Sequence, residues 1–246
     1  MKAFTAATLA AMLISMGAAG AYAERAAPAF AVAAVADAAR PAADRDNDAH
    51  RKPAETIAFA GVKPGMVVAE MGPGRGYYTR ILAKAVGPKG KVFVLVSKAQ
   101  AARPGGLDAL NALAAAYPNI TVLTVDYPAL ALPEKVNLFW TTENYHDFHN
   151  GPTANIAVLD KAVYDNLKPG GIFYVEDHSA AVGAGLEATS KWHRMDEALA
   201  KTELTAAGFR IDGEGDLLRN PNDNRAGVNS EAGHFVTDRF MLRMKK

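Results

Sequence analysis

Short apolar runs alternate with amphipathic segments along most of the chain. From residue 50 onward, such runs predict buried strands at 66–70, 92–96, 120–125, 136–140 and 172–175. Between the runs, apolar residues recur at three- and four-residue spacing, which predicts amphipathic helices. Mostly uncharged strands that are separated by helices are typical of a parallel sheet with helices on both faces. The pattern therefore predicts the α/β class.

The pattern changes toward the carboxyl terminus. A helix capped by Thr153 and another around 192–199 precede a sixth strand at 209–211 and a seventh at 234–242. No helix separates the last two strands, and a parallel connection would need a crossover. We therefore expect this pair to be antiparallel, within one domain that covers residues 50–246.

The first residues have the pattern of an export signal. Lys2 is followed by an uncharged, mostly apolar run, and Ala21-Tyr22-Ala23 places small residues where a signal peptidase requires them. We expect residues 1–23 to be a signal peptide and the mature protein to be periplasmic or extracellular. An uncleaved membrane anchor is the alternative. Residues 24–49 are rich in Ala and Pro with few large apolar side chains, and are expected to be a linker. The alternative for its charged end, Arg45-Asp46-Asn47-Asp48, is that it folds back onto the domain.

Charge and composition exclude several classes of protein. The 27 Lys and Arg residues nearly balance the 26 Asp and Glu residues, which argues against general electrostatic binding to nucleic acid or to an anionic membrane. The chain has no cysteine, so disulfide scaffolds, thiolate zinc sites and cysteine nucleophiles are excluded. We expect a small-molecule partner, no nucleic acid, and no integral membrane segment after signal cleavage.

A glycine-rich turn, GPGRG at 72–76, lies between the first strand and a helix. At that edge of a parallel sheet, a ligand meets backbone N–H groups and the positive end of a helix. Tyr77 stands where a dinucleotide-binding G-x-G-x-x-G has its last glycine, which disfavours a pyrophosphate site. The turn predicts a ligand site, and a purely structural turn is the alternative.

Four segments resemble motifs of the class I S-adenosylmethionine-dependent methyltransferases. They are VKPGMVVAEMGPGRGYYT at the first strand, VDY at 125–127, LFWTTENYHD at the fourth strand and LKPGGIFYVED at the fifth. The likeness covers most of the chain after residue 50, and the chain looks like an exported group of predicted methyltransferases. It implies a Rossmann-like seven-stranded sheet in the order 3-2-1-4-5-7-6 with strand seven antiparallel, and S-adenosylmethionine as the cofactor.

The resemblance also implies which residues bind the cofactor. Glu70 and the three glycines of the turn would line its methionine and ribose parts, and Asp126 and Tyr127 would flank the adenine. Ser97 stands where the family usually carries a carboxylate for the ribose hydroxyls, and a neutral acceptor binds about half as strongly as a charged one. The candidate cofactor-binding residues are Glu70, Gly72, Pro73, Gly74, Gly76, Tyr77, Ser97, Asp126, Tyr127 and Asn144.

Three of the six histidines follow the fourth and fifth strands. His146, His149 and His178 are therefore expected at one edge of the sheet, and His193 could reach the same edge. A neutral imidazole there could accept a proton from the methyl acceptor. His146, His178 and Asp147 are the candidate catalytic residues. No metal ligand is assigned, although the H-x-x-H step could hold zinc, iron or copper, and polar turns or solvated side chains are a further alternative.

The resemblance and the patterns together lead to two functional hypotheses. The first is S-adenosylmethionine-dependent methyl transfer to a small-molecule nucleophile by an exported protein. The alternative is an extracytoplasmic protein that keeps the fold and binds a ligand or a metal without methyl transfer. Oxidoreduction with a dinucleotide is disfavoured by Tyr77.

Overall fold

The computed structural model describes residues 26–229 and 236–246, and within them seven strands form one sheet. The strands are β1 (Val67–Met71), β2 (Lys91–Ser97), β3 (Ile120–Val125), β4 (Val136–Thr142), β5 (Leu167–His178), β6 (Arg210–Gly215) and β7 (Arg239–Lys245). Their order is β3-β2-β1-β4-β5-β7-β6. Strands β1 to β5 pair in parallel, and β7 is antiparallel to both β5 and β6. The predicted fold class, strand order and antiparallel seventh strand are confirmed.

Helices cover both faces of the sheet. They are α1 (Ala29–Val35), α2 (Ala42–Arg45), α3 (Asp48–Arg51), α4 (Pro53–Ala60), α5 (Tyr77–Val86), α6 (Lys98–Ala101), α7 (Asp108–Ala116), α8 (Ile156–Asn166), α9 (Glu187–Trp192) and α10 (Glu197–Ala206). Because side chains alternate along a strand, Val68 belongs to the buried cluster that includes residues of α1, α4, α5 and α7, while Ala69 belongs to the cluster that includes residues of α8 and α10. The sheet is therefore buried on both sides, as the apolar runs predict.

The last glycine of the turn, Gly76, packs closely against helix α7. Gly76 precedes α5 with a φ of +89°, and a Cβ there would lie 2.3 Å from Leu113 Cδ1 of α7. Only glycine takes that conformation without strain and leaves room for the leucine. Helix α5 then buries Ile81 and Leu82 against the sheet.

Residues 26–49 are not the linker that their composition predicts. They form α1 and α2 and the start of α3, and Ala31 and Ala34 are buried beside α4 and α5. Arg40 is also buried and forms an ion pair with Asp48. The prediction failed because alanine methyl groups let two helices approach closely, so a segment without large apolar residues can still join a core.

Several element boundaries also differ from those predicted. The side chain of Asn155, not Thr153, caps α8 by accepting the N–H of Val158 at 3.2 Å. The helix predicted around 192–199 is broken into α9 and α10, because His193 adopts a left-handed conformation with φ +51°. The seventh strand begins at Arg239 in the described part of the chain.

The export predictions concern residues that the structure does not describe. The expected signal peptide at 1–23 and its cleavage site fall outside the described ranges. Within residues 26–229 and 236–246, no helix is both long enough and apolar enough to span a bilayer. Export stays a prediction.

Candidate functional site

A cleft of about 830 Å³ lies at the carboxyl ends of the central strands. Its walls come from the glycine turn, the end of β2 with α6, the segment after β3, and the loop after β4. Of the candidate residues, it is lined by Gly72, Ser97, Asp126, Tyr127, Asn144 and Asp147. This volume is in the usual range for small-molecule sites, and a sheet edge of this kind is where open α/β folds bind ligands.

Gly72 is the point where the glycine turn meets the cleft. It has a φ of +65°, and a Cβ there would lie 2.5 Å from the side chain of Asn144. The Gly72 N–H donates to the Tyr127 hydroxyl at 3.3 Å, and its carbonyl accepts from Asn144 Nδ2 at 3.2 Å. The Tyr127 hydroxyl in turn donates to the Leu95 carbonyl at 2.9 Å. A ligand therefore meets Tyr127 and Asn144 before it meets the backbone of the turn.

The rest of the glycine turn is not among the residues that line the cleft. Pro73 is buried, and its carbonyl accepts the Gly76 N–H at 2.9 Å. Gly74 is exposed, with open space where a Cβ would be. Tyr77 donates its hydroxyl proton to Asp48 at 2.6 Å. These residues shape the turn or hold the amino-terminal helices, and the sequence contains no signal for the contact with Asp48.

Glu70 is buried below the turn and does not line the cleft. Its carboxyl group accepts the Thr79 hydroxyl at 2.5 Å, which joins β1 to α5. Burial raises the pKa of Glu70 to about 8, and the bond from Thr79 offsets only part of this rise. The Glu70 carboxyl group is therefore mostly protonated at neutral pH.

The end of β2 is built differently from the family pattern. The Ser97 hydroxyl accepts the N–H of Gln100 at 3.1 Å and so caps α6. Across the cleft rim, Lys98 Nζ lies 3.1 Å from Asp126 Oδ2, with both side chains exposed. The position expected to hold ribose thus has a serine committed to a helix cap and a solvent-exposed ion pair.

His146 lies just after β4, in a 3₁₀ segment that ends at His149. Its backbone N–H and its Nδ1 each lie 2.7 Å from the buried carboxylate of Asp177. Because a carboxylate accepts hydrogen bonds, Nδ1 carries a proton, and in the neutral ring Nε2 therefore carries the lone pair. Burial is the largest influence and lowers the pKa of His146, but the charge and hydrogen bond of Asp177 together with the charges of Asp147 and Glu143 outweigh it, and the net pKa is raised. Nε2 lies 3.4 Å from Oδ1 of Asp147, which lines the cleft.

The other predicted histidines have different surroundings. His178 is fully buried, with Nδ1 2.7 Å from the Thr237 hydroxyl, and it is not among the cleft residues. The His149 ring makes two hydrogen bonds: Nδ1 lies 3.0 Å from the Tyr145 carbonyl, and Nε2 lies 3.0 Å from the Glu203 carboxylate. The H-x-x-H step therefore does not bring its two side chains together. His193, in contrast, lies with Nδ1 3.4 Å from Asp147 Oδ1.

A buried ion network beside the site was not predicted. Arg239 of β7 donates to Glu143 and Glu176 at 2.9 Å each, and Arg51 of α3 donates to Glu143 at 2.6 Å. Burial raises the pKa of Glu176 to about 7, and the charge of Arg239 opposes the rise. The available signal was Asp238-Arg239 inside an otherwise apolar strand pattern, since charges in such a run need buried partners.

Comparisons with known proteins identify the fold. No protein-family model matches the chain, and no curated protein matches it in sequence. A SAM-dependent methyltransferase from Aquifex aeolicus is similar in structure, with a TM-score of 0.59 and 18% identity over 84% of this chain and 98% of that chain. The chain has the class I methyltransferase fold.

Two further structures show what this fold hosts. The 1,6-didemethyltoxoflavin-N1-methyltransferase of Burkholderia thailandensis, with bound 1,6-didemethyltoxoflavin and S-adenosylhomocysteine, has a TM-score of 0.53 at 16% identity over 83% of this chain and 78% of that chain. The [4+2]-cyclase SpnF has a TM-score of 0.56 at 15% identity over 83% and 81%. One fold therefore accompanies more than one chemistry, and function has to be argued from the site.

Proposed function

We propose that this chain binds S-adenosylmethionine in the cleft and transfers its methyl group to a small-molecule nucleophile. The observation that carries the proposal is that four separate segments of the chain converge on one cleft. The turn after β1, the end of β2, the segment after β3 and the loop after β4 each contribute a predicted residue to one cleft of about 830 Å³. The fold found in the similar structures supports the same cofactor.

The adenosine end of the proposed site lies between Ser97 and Asp126. The Asp126 carboxylate is about half exposed and can accept from an adenine amino group or a ribose hydroxyl. The rings of Tyr127 and Phe148 lie 4.9 Å apart between centroids, and both residues line the cleft. They form an aromatic wall against which a base can pack.

The acceptor end of the proposed site lies at Asp147. When bound, S-adenosylmethionine supplies an electrophilic methyl group, which the nucleophile takes as the carbon–sulfur bond breaks and the electron pair stays on sulfur. Alignment of the reactants contributes most of the rate of such a displacement. We assign the acceptance of the nucleophile's proton to Nε2 of the neutral His146 ring, whose Nδ1 donates to Asp177. His146 is buried and does not itself line the cleft, but its Nε2 lies 3.4 Å from Oδ1 of Asp147, which does.

The binding part of the proposal is tested by calorimetry on the full chain. S-adenosylhomocysteine is expected to bind saturably, and Asp126→Ala is expected to weaken binding about tenfold or more, because hydrogen bonds to charged groups contribute about 1.5–3 kcal/mol. Asp165→Ala is the matched control, since Asp165 is also an exposed aspartate paired with a lysine but lies on α8. Absence of saturable binding to the unmodified chain would refute the proposal.

The alternative is a protein that binds another small ligand with the same fold. It is favoured by the commitment of Ser97 to the cap of α6 and by the contacts that Tyr127 and Asn144 make with Gly72. Mass spectrometry of the chain as isolated distinguishes the two. A co-purified molecule without an adenosine group would favour the alternative.

Export is a separate part of the proposal and rests on residues 1–23 alone. Amino-terminal sequencing of the chain from its own host is expected to find Glu24 as the first residue. A chain that still begins at Met1 and remains with the cytoplasmic fraction would refute export without affecting the proposed chemistry.

A further inference from the structure

Three side chains with metal-binding atoms meet beside the cleft. His146 Nε2, Asp147 Oδ1 and His193 Nδ1 all lie within 4.8 Å of one another. Asp147 is central, because its Oδ1 lies 3.4 Å from each of the two imidazole nitrogens. In the described part of the chain, no other contact of the Asp147 carboxylate with a cationic side chain is found.

The two distances have the length expected for ligands of one ion. Hydrogen bonds between an imidazolium and a carboxylate are shorter, at about 2.7–2.9 Å. Ligands that lie about 2.0–2.1 Å from a tetrahedral zinc ion are separated by about 3.3–3.4 Å. The spacing of both pairs around Asp147 is therefore that of a tetrahedron's edge.

The protonation of His146 also suits a ligand. Asp177 accepts from Nδ1 at 2.7 Å and from the backbone N–H of the same residue, so the ring is fixed with Nε2 3.4 Å from Asp147 Oδ1 and, in the neutral ring, free to bind a metal. Metal-binding histidines usually donate their other ring N–H to a carboxylate or a carbonyl in this way. Asp177 occupies that outer position.

His193 is held in place at an energetic cost. It is a non-glycine residue with φ +51°, a strained backbone conformation that persists only when its surroundings enforce it. Its carbonyl accepts from Asn229 Nδ2 at 2.9 Å. The side chains of His193 and Asp147 are each about half exposed, while His146 is buried, so the cluster is open on one side.

We propose that His146, Asp147 and His193 bind one divalent transition-metal ion, with Zn²⁺ as the reference ion. Two imidazoles and one carboxylate that leave an open position are the ligand set of catalytic zinc and of non-haem iron sites. The fourth position is left to water or to a group that enters through the open side. A bound ion occupies the Nε2 lone pair to which proton transfer is assigned above, so the two roles of His146 are alternatives. Metal binding is nevertheless measured without any methyl transfer.

The test uses the full chain without an affinity tag, stripped with a chelator and titrated with Zn²⁺ by calorimetry and with Co²⁺ by visible absorption. One ion per chain is expected, with the intense visible bands of four-coordinate cobalt. His193→Ala and Asp147→Asn are each expected to weaken binding at least tenfold, since even outer residues of metal sites contribute about 10–100-fold. His149→Gln is the control, because His149 belongs to the H-x-x-H step but faces Glu203.

Several results would overturn the site. These are no stoichiometric binding to the unmodified chain, wild-type affinity in His193→Ala, or loss of binding in His149→Gln alone. Thermal unfolding of each metal-free variant shows whether it has folded, and the half-exposed side chain of His193 makes its removal well tolerated. Failure of this proposal is distinguishable from failure of the proposed function, because S-adenosylhomocysteine binding is a separate titration.

Discussion

The buried carboxyl group of Glu70 leads to a prediction about stability against pH. Burial raises the pKa of Glu70 from an ordinary 4.5 to about 8 in the folded chain. Between these values the folded chain keeps a proton that the unfolded chain releases. The stability contributed by this group is therefore fully present below pH 4.5 and is lost as the pH rises through about 8.

We expect Glu70→Gln to remove this loss. An amide is close in size to a protonated carboxyl group, and its oxygen can still accept the Thr79 hydroxyl. At 1.36 kcal/mol per pKa unit, the variant should be more stable than the wild type by about 3 kcal/mol at pH 7 and by about 5 kcal/mol above pH 8. Below about pH 4.5 the two chains should be nearly equal.

Urea denaturation at a series of pH values between about 5 and 9 measures the difference in the free energy of unfolding. Glu187→Gln serves as the control, because Glu187 is exposed on α9 and substitutions of exposed side chains change the free energy of unfolding little. A difference between Glu70→Gln and the wild type that stays constant or shrinks as the pH rises would refute the assignment of a protonated, buried Glu70.

Three further substitutions test other parts of the structure. Ser97→Asp should keep the cap of α6 and add a charged acceptor for the ribose hydroxyls. Calorimetry should then show S-adenosylhomocysteine binding strengthened by about 1 kcal/mol, or about fivefold, and unchanged binding would show that ribose does not lie at this position. Gly76→Ala should lower the free energy of unfolding by about 1–3 kcal/mol in urea denaturation, and by more than Gly74→Ala, whose Cβ would meet open space. Arg239→Ala should cost about 3–5 kcal/mol in the same assay, because it leaves Glu176 buried without that cation, and a loss below about 1 kcal/mol would contradict this role.

The fold was largely predictable because each strand is marked locally. The run at 92–96, for example, is apolar without interruption and is flanked by turn residues, and the structure places β2 at Lys91–Ser97. The convergence of Ser97, Asp126 and Asn144 followed from the rule that parallel strands end at one edge. The helices and the burial of residues 26–49 were not predictable in this way, because alanine occurs on buried and on exposed faces alike and so gives little hydrophobic periodicity.

The site was less predictable than the fold because its contacts are long-range and depend on side-chain direction. Asp177 and His178 follow each other at the end of β5, and both lie near His146: Asp177 accepts from its Nδ1, and the His178 ring lies 6.2 Å from its ring between centroids. The sequence does not mark which of these two neighbours supplies the hydrogen bond. The left-handed turn at His193 has no glycine to mark it, although it brings that ring to Asp147. The contact between Arg51 and Glu143 joins residues 92 positions apart, which no local pattern indicates.

The Glu143 carboxylate accepts hydrogen bonds from Arg51 of helix α3 and from Arg239 of strand β7. It therefore links two elements that are far apart in the sequence. If only α3 or only β7 separates from the fold, a single guanidinium group is left beside two buried acidic residues, Glu143 and Glu176. The buried negative charge that is then left without a partner makes such partial opening unfavourable. Helix α3 and strand β7 should therefore open as a single cooperative unit, and hydrogen exchange of their backbone amides should report the same free energy of opening.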